Sequence, residues 1–450
     1  MSNPIPDVPD LADRIPANTT WIEGLKHADP REAANQLADL SPVGIRDVFR
    51  VLPDELVGDI MMEFHPGLQL RLLEDMRLQR LSGIVDEMFL DDAADILGRL
   101  RPERLNAILK NLSPESAAKI TELLTYPEDS AGGIMNPEYV AVPDDLTVQE
   151  TVASLRANTS LTTDTLFYIY VVDRDGRLQG VLRVRDLLLS PPEMLVKDLM
   201  IRRVRCVSVH ADQEDIAALF REHHYMSLPV VDDFQRLRGV VTAEDVMDVI
   251  EEEATEDMQR MIGLSGEEML DTPWRVSFFN RLPWLYVNLA TAILAGWVVS
   301  LFEPTIAKYA VLAAFLPIIA SQGGNAGTQT LTIMVRAMAL GGVQGRKHSR
   351  ILGKELFVAL LTGLATGLAI LGVGWFWQGS WVLGVVACLA LLLNMLAAAA
   401  SGVLIPLGLK ALKVDPALAS SIMLTTVTDV VGFFLFLGLA ALGFHLWPSF

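Results

Sequence analysis

Asp429 lies alone in PALASSIMLTTVTDVVGFFLFLGLAALGF, an otherwise uncharged run that begins at Pro416. A run of that length crosses a bilayer as a helix, at about 20 residues per span. A carboxylate near its middle costs about 2.5–3.5 kcal/mol even on lenient insertion scales. It is tolerated where it faces water, a partner or a cation, or as an interior polar contact kept neutral by a raised pKa. Ser421 and Thr425 precede it at four-residue steps, so a helix puts the three on one face. Hydroxyls leading to a carboxylate fit a hydrated cation path. A second polar stretch, SQGGNAGTQT at 321–330, follows Pro317 and invites a helix interruption that would expose carbonyls and amides at membrane depth. Asn325 and Gln329 are its candidate pathway residues, although the same glycines also suit close helix packing.

A second constellation is acidic. TAEDVMDVIEEEATEDMQR carries Glu244, Asp245, Asp248, Glu251, Glu252, Glu253, Glu256 and Asp257 before any basic residue. Asp245, Asp248, Glu252 and Glu256 recur at three- and four-residue steps, which is one helix face. Like charges so spaced repel unless solvated, screened or bridged by cations. A hard divalent ion prefers oxygen ligands and keeps much of its water, so a loose carboxylate patch suits Mg2+. The bland alternative is a solvated face. Asp91 and Asp95, one turn apart, could close such a site from elsewhere in the chain. No nucleophile–base pair, metal-binding cysteine set or phosphate loop stands out, and the histidines are scattered, so no enzyme is expected. Cys206 and Cys388 fall in different halves and suggest no disulfide framework.

The elements that must position these residues differ sharply along the chain. Residues 1–269 hold 50 Asp and Glu against 26 Lys and Arg, whereas residues 270–450 hold 5 against 10. An acidic cytosolic front on a membrane domain is the implied arrangement, and nucleic acid is excluded as a partner. The first residues lack a basic region followed by an apolar core, so no signal peptide is expected. From about 21, short helical segments recur, with Leu closely followed by Pro at Leu40/Pro42, Leu52/Pro53, Leu100/Pro102 and Leu112/Pro114. This marks repeated helix starts.

Residues 131–250 contain a duplication in which Met135 matches Met200, Arg177 matches Arg236, Gly180 matches Gly239 and Asp186 matches Asp245. Each copy reads strand, helix, strand, turn, strand, helix. The pair resembles tandem cystathionine-β-synthase-type (CBS) domains, which are regulatory modules. Beyond 270, spans are expected at about 282–302, 309–335, 355–376, 382–409 and 416–444. Residues 356–409 carry no charge and must hold two of them, broken at WFWQGSW. Arg346, Lys347, Arg350 and Lys354 follow the second span, and Lys410 and Lys413 the fourth, which orients the N-terminus to the cytosol and the C-terminus outside.

Taken together, AGGIMNPEY at 131–139, SQGGNAGTQT, and DPALAS with TTVTD at 415–429 resemble the MgtE family of magnesium channels, over roughly residues 25–445. The resemblance implies a multidomain protein. Its parts are a disordered segment 1–20, an α-helical superhelical domain 21–130, α/β CBS domains at 131–200 and 201–250, an acidic connecting "plug" helix 244–268, and a five-span α-helical transmembrane domain 270–450. It further implies a homodimer in the bacterial plasma membrane, whose fifth and second spans line a pore with Asp429 holding hydrated Mg2+. Intracellular Mg2+ would close that pore through Asp91, Asp95, Glu214, Asp245, Asp248, Glu253, Glu256, Asp257 and the Gly133 backbone. Family CBS domains can bind ATP. Here Thr242 and Asp245 keep the ribose-binding pair, whereas Arg183 replaces the threonine in the first copy. Ser421 and Thr425 depart from the Asn and Ala of some relatives, which leaves selectivity open. The rival expectations are a carrier tolerant of Co2+ or Mn2+, and a non-conducting Mg2+ or nucleotide sensor.

Overall fold

A computed structural model describes residues 19–157, 168–266, 268–269, 272–340, 342–343, 348–418 and 420–446. Residues 1–18 of the expected disordered segment lie outside these, as do Arg346 and Lys347 of the expected basic loop. The chain divides into two compact units, residues 1–250 and 251–450.

Among the described residues, the first unit begins with nine short helices. They are α1 (Thr19–Leu25), α2 (Pro30–Leu37), α3 (Pro42–Phe49), α4 (Asp54–Met62), α5 (Pro66–Asp75), α6 (Leu78–Glu87), α7 (Leu90–Gly98), α8 (Pro102–Leu109) and α9 (Pro114–Leu123). Pro30, Pro42, Pro66, Pro102 and Pro114 sit in the first turn of five of them, where the missing N–H leaves no bond unmade, and Pro53 immediately precedes α4. Asp29, Ser41 and Ser113 cap three of these starts by accepting a backbone N–H. From α2 onward each helix packs on its second neighbour, α2 on α4, α3 on α5, and so on to α7 on α9. The leucines of the Leu–Pro signals at 52, 100 and 112 are buried in this stack.

The duplication then folds as two three-stranded sheets. The first is β1 (Ala141–Pro143), β2 (Tyr168–Val172) and β3 (Leu178–Arg183), with α10 (Val148–Ala157), α11 (Val184–Leu189) and α12 (Val196–Leu199). The second is β4 (Val207–Ser208), β5 (Ser227–Val231) and β6 (Leu237–Thr242), with α13 (Gln213–His223) and α14 (Ala243–Met261). In both, the first pair is parallel, the second antiparallel, with an irregularity at the matching positions Val171/Val172 and Val230/Val231. The copies also exchange their leading segments. Asn136 bridges to Val240 of β6, and Ile201 bridges to Val181 of β3. A Cβ on Gly239 would lie 2.8 Å from Met135 Sδ, and one on Gly180 2.6 Å from Met200 Sδ, so both matched methionines need a glycine beneath them. One apolar core runs from the helical stack into the second copy, through Leu97, Ile120, Met135, Ile216 and Val246. Arg238 ties the same two parts by pairing with Asp232 at 2.8 Å and with Glu122 of α9 at 3.4 Å.

The second unit holds α15 (Trp274–Ser300), α16 (Glu303–Lys308), α17 (Leu312–Ala339), α18 (His348–Gln378), α19 (Trp381–Ala411) and α20 (Ser420–Leu446). Four of them, α15, α18, α19 and α20, are long and apolar enough to cross a membrane. The uncharged run breaks between α18 and α19 inside WFWQGSW, with Gly379 at φ 67° and Ser380 Oγ accepting from Leu383 N–H at 3.2 Å. α19 is central and packs on α17, α18 and α20.

One expectation is corrected. α17 does not break at SQGGNAGTQT but runs unbroken from Leu312 to Ala339, through Pro317. A continuous helix satisfies its own backbone groups, and Pro317, its sixth residue, removes one donor, the N–H that would bond the Ala313 carbonyl. Gly323 and Gly327 serve contact instead, whereas Gly324 faces open space. A Cβ on Gly327 would come 2.9 Å from Leu424 of α20, and one on Gly402 of α19 would come 3.0 Å from the Gly327 carbonyl.

Candidate cation pathway and acidic clusters

On α20 the sequence-expected stripe forms. Ser421, Thr425 and Asp429 are all partly exposed, while Leu424, Thr428 and Gly432 turn inward. Thr425 Oγ1 donates to the Ser421 carbonyl at 3.0 Å, Thr426 to Ile422 at 2.7 Å, and Thr428 to Thr425 at 3.1 Å. Each hydroxyl therefore spends its proton inside the helix and leaves an oxygen that can only accept. No hydrogen bond or ion pair from a described residue reaches the Asp429 carboxylate. On α17, Asn325 and Gln329 are exposed one turn apart, with Ser321 and Thr328 beside them, and Gly323, Gly327 and Thr330 face inward. Both helices thus carry an outward polar face backed by close packing.

Two interior groups escaped the sequence reading. Glu355 at the start of α18 is buried, beside Thr330 Oγ1 at 3.4 Å and Lys354 Nζ at 2.9 Å. Asn394 of α19 is fully buried and donates to the Ile319 carbonyl of α17 at 3.1 Å. Glu355 had a signal, as an acid one residue from an uncharged run. Asn394 had only its amide.

In the first unit, burial gathers an acid cluster around the start of α7. Asp91 Oδ1 is buried with no hydrogen-bond partner. Burial, then the neighbouring charges of Asp92 and Asp245, pushes its pKa well above the carboxylate range. Asp92 is pushed up to about 7 by burial and by Asp95, Asp245, Asp59 and Glu244. Asp245 is raised by burial, against hydrogen bonds from Thr242 N–H at 3.0 Å and Thr242 Oγ1 at 2.7 Å. Asp91, Asp95 and Asp245 were expected together and are joined by Asp59, Asp92 and Glu244. Asp92 was readable as the second acid of LDDAAD; Asp59 was not. The Thr242–Asp245 pair caps α14, whereas Arg183 at the same place before α11 makes no side-chain cap. Gly133 and Glu214 are held near a different junction, where Ser130 bridges to Asp212 and Gly132 N–H bonds the Val209 carbonyl at 2.9 Å. Asp248 is exposed on α14.

In the second unit the acids of α14 meet the approach to α20. Arg260 pairs with Glu256 and, at 2.7 Å, with Asp415. Asp257 is pushed up to about 6 by burial, then by Asp415, Glu253 and Glu256, with Arg260 opposing. Met261 packs with Leu331 and Val335 of α17 and Leu424 of α20. Among the described residues, no three His, Cys, Asp or Glu side chains form a group able to hold a metal ion by themselves. Both clusters are open sets of carboxylates with neighbours of like charge.

Comparison with known proteins assigns the parts. Residues 28–129 match the model of the MgtE intracellular N domain, 131–192 and 196–252 the CBS domain, and 316–439 the MgtE model described as a divalent cation transporter. The chain is 34% identical to the magnesium transporter MgtE of Thermus thermophilus over 88% of each chain. It is 29% identical to that of Bacillus subtilis, covering 94% of this chain and 96% of the relative. Among solved structures, the cytosolic domain of the Mg2+ channel MgtE in complex with ATP matches at 35% identity and a TM-score of 0.50, covering 53% of this chain and 98% of that one. With its intracellular, CBS and membrane parts all matched in order, the chain belongs to the MgtE family.

Proposed function

We propose that this chain is a Mg2+ channel, acting as a homodimer in a bacterial plasma membrane, with its N-terminus cytosolic and its C-terminus outside. The observation that carries the reading is Asp429, a carboxylate without a partner among the described residues, on the face that Ser421 and Thr425 share in an apolar α20. A divalent ion that keeps its water presents hydrogen-bond donors, and a stripe in which Thr425 offers an accept-only oxygen one turn from a carboxylate is matched to them. α17 is taken as a fifth span, since its length is sufficient and α19 and α20 pack against it. Its exposed Asn325 and Gln329 then require water or a second subunit at membrane depth. The helical stack before the CBS pair is read as superhelical.

The same reading makes Mg2+ its own inhibitor. Asp91, Asp95, Gly133, Glu214, Asp245, Asp248, Glu253, Glu256 and Asp257 are taken as the regulatory oxygens, with Asp92 added by its place in the cluster. Crowded carboxylates are stabilised by a bridging divalent ion and repel without one. ATP is assigned to the second CBS copy, where Thr242 supplies beside Asp245 the hydroxyl that Arg183 denies the first copy beside Asp186. Mg2+ flux into proteoliposomes tests the core of the proposal. Asp429→Ala abolishes flux while the dimer persists on size exclusion; normal flux in that variant would remove Asp429 from the pathway.

A further inference from the structure

We propose that Asn394 is a positioning residue for Asp429, setting the rotation of α20 against α17. The proposal rests on the reading of Asp429 as the pathway carboxylate. Asn394 is fully buried, and its Oδ1 has no hydrogen-bond partner. Leaving such an acceptor unsatisfied costs about 1–3 kcal/mol, so a leucine of similar volume would be the more stable choice. What the amide supplies is direction. Its Nδ2 donates to the Ile319 carbonyl of α17 at 3.1 Å. The same group rests on two glycines of different helices. A Cβ on Gly323 of α17 would lie 2.2 Å from Nδ2, and one on Gly432 of α20 would lie 2.6 Å from it. Neither gap admits another side chain, so the amide holds both helices at one height and one rotation. Gly323 is two residues before Asn325, and Gly432 is three after Asp429. The clamp therefore lies at the level of the two polar faces and behind them. A single buried polar group that fixes register at the expense of stability is a known device of helix packing.

The test uses the full chain in proteoliposomes, with Cys206 and Cys388 replaced by alanine and single cysteines returned at 425 or 426. Labelling by a membrane-impermeant thiol reagent reads which face of α20 is wet. Asn394→Leu keeps the volume and removes the bond, and Gly432→Ala displaces the amide while keeping it. In both, labelling at 425 falls roughly tenfold relative to 426, and the Mg2+-to-Co2+ flux ratio changes with it. If Asn394→Leu does not fold, Gly432→Ala carries the test. An unchanged labelling ratio and flux ratio, with Asp429-dependent flux intact, overturns the proposal for Asn394 alone. Normal flux in an Asp429→Asn chain overturns the pathway reading and, with it, any role of Asn394 in conduction.

Discussion

Asp92 is pushed up to about 7 because burial around α7, and then the charges of Asp95, Asp245, Asp59 and Glu244, disfavour its charged form. A carboxyl raised from 3.8 to about 7 binds more protons in the folded than in the unfolded chain across that interval. Its contribution to stability is full below pH 3.8, falls as pH rises through the interval, and is absent above about 7. Without divalent ions, the melting temperature of the N-terminal unit in the intact protein should therefore drop between pH 4 and pH 7, and Asp92→Asn should flatten that slope. An identical slope in the variant would mean that Asp92 does not titrate there. Mg2+ should bind more tightly as pH rises through the same interval, because the proton competes. Asp429, Asp91 and Asp245 stand out in the sequence as candidates, since a charge in an apolar run or acids one helical turn apart are visible as pattern. Asp59 and Asn394 do not, because their roles come from what the fold packs around them.

Among the elements, the helix starts of the N-terminal stack were legible through their prolines and caps, which are local. The strand order of both CBS copies was also legible, being written twice. The continuity of α17 was not. Gly323 and Gly327 read equally as a break or as a contact, and only the neighbours α19 and α20 decide. The contact reading makes a clear prediction. Gly402→Leu forces a side chain against the Gly327 carbonyl, a backbone atom that cannot swing aside, whereas Gly408 has open space around its Cβ. Gly402→Leu should destabilise the detergent-solubilised protein by about 1–3 kcal/mol, and Gly408→Leu should change it little. Equal melting temperatures for the two would contradict the packing described for α17 and α19.

At the scale of the whole molecule, charge is the organising quantity. Residues 1–269 carry a net charge of −24 and residues 270–450 a net charge of +5, counting Asp, Glu, Lys and Arg. That asymmetry was visible in the sequence; the pairing of Arg260 with Asp415, which puts a fixed cation among the acids of α14, was not. If Mg2+ closes the pore by bridging those acids, neutralising Asp245, Asp248, Glu253 and Asp257 together leaves flux undiminished at millimolar internal Mg2+. Inhibition as strong as in the native chain would reduce the acidic helix to a solvated face. The exchange of leading segments between the CBS copies has a different reach. Each copy is completed by residues that precede its sister, Met135 and Asn136 for one sheet and Met200 and Ile201 for the other. Neither copy is then a self-sufficient folding unit, and a cut at the boundary that the repeat suggests would strip an edge from both sheets. The pair should therefore melt as one cooperative block, and a ligand bound in either copy should stiffen the other without touching it.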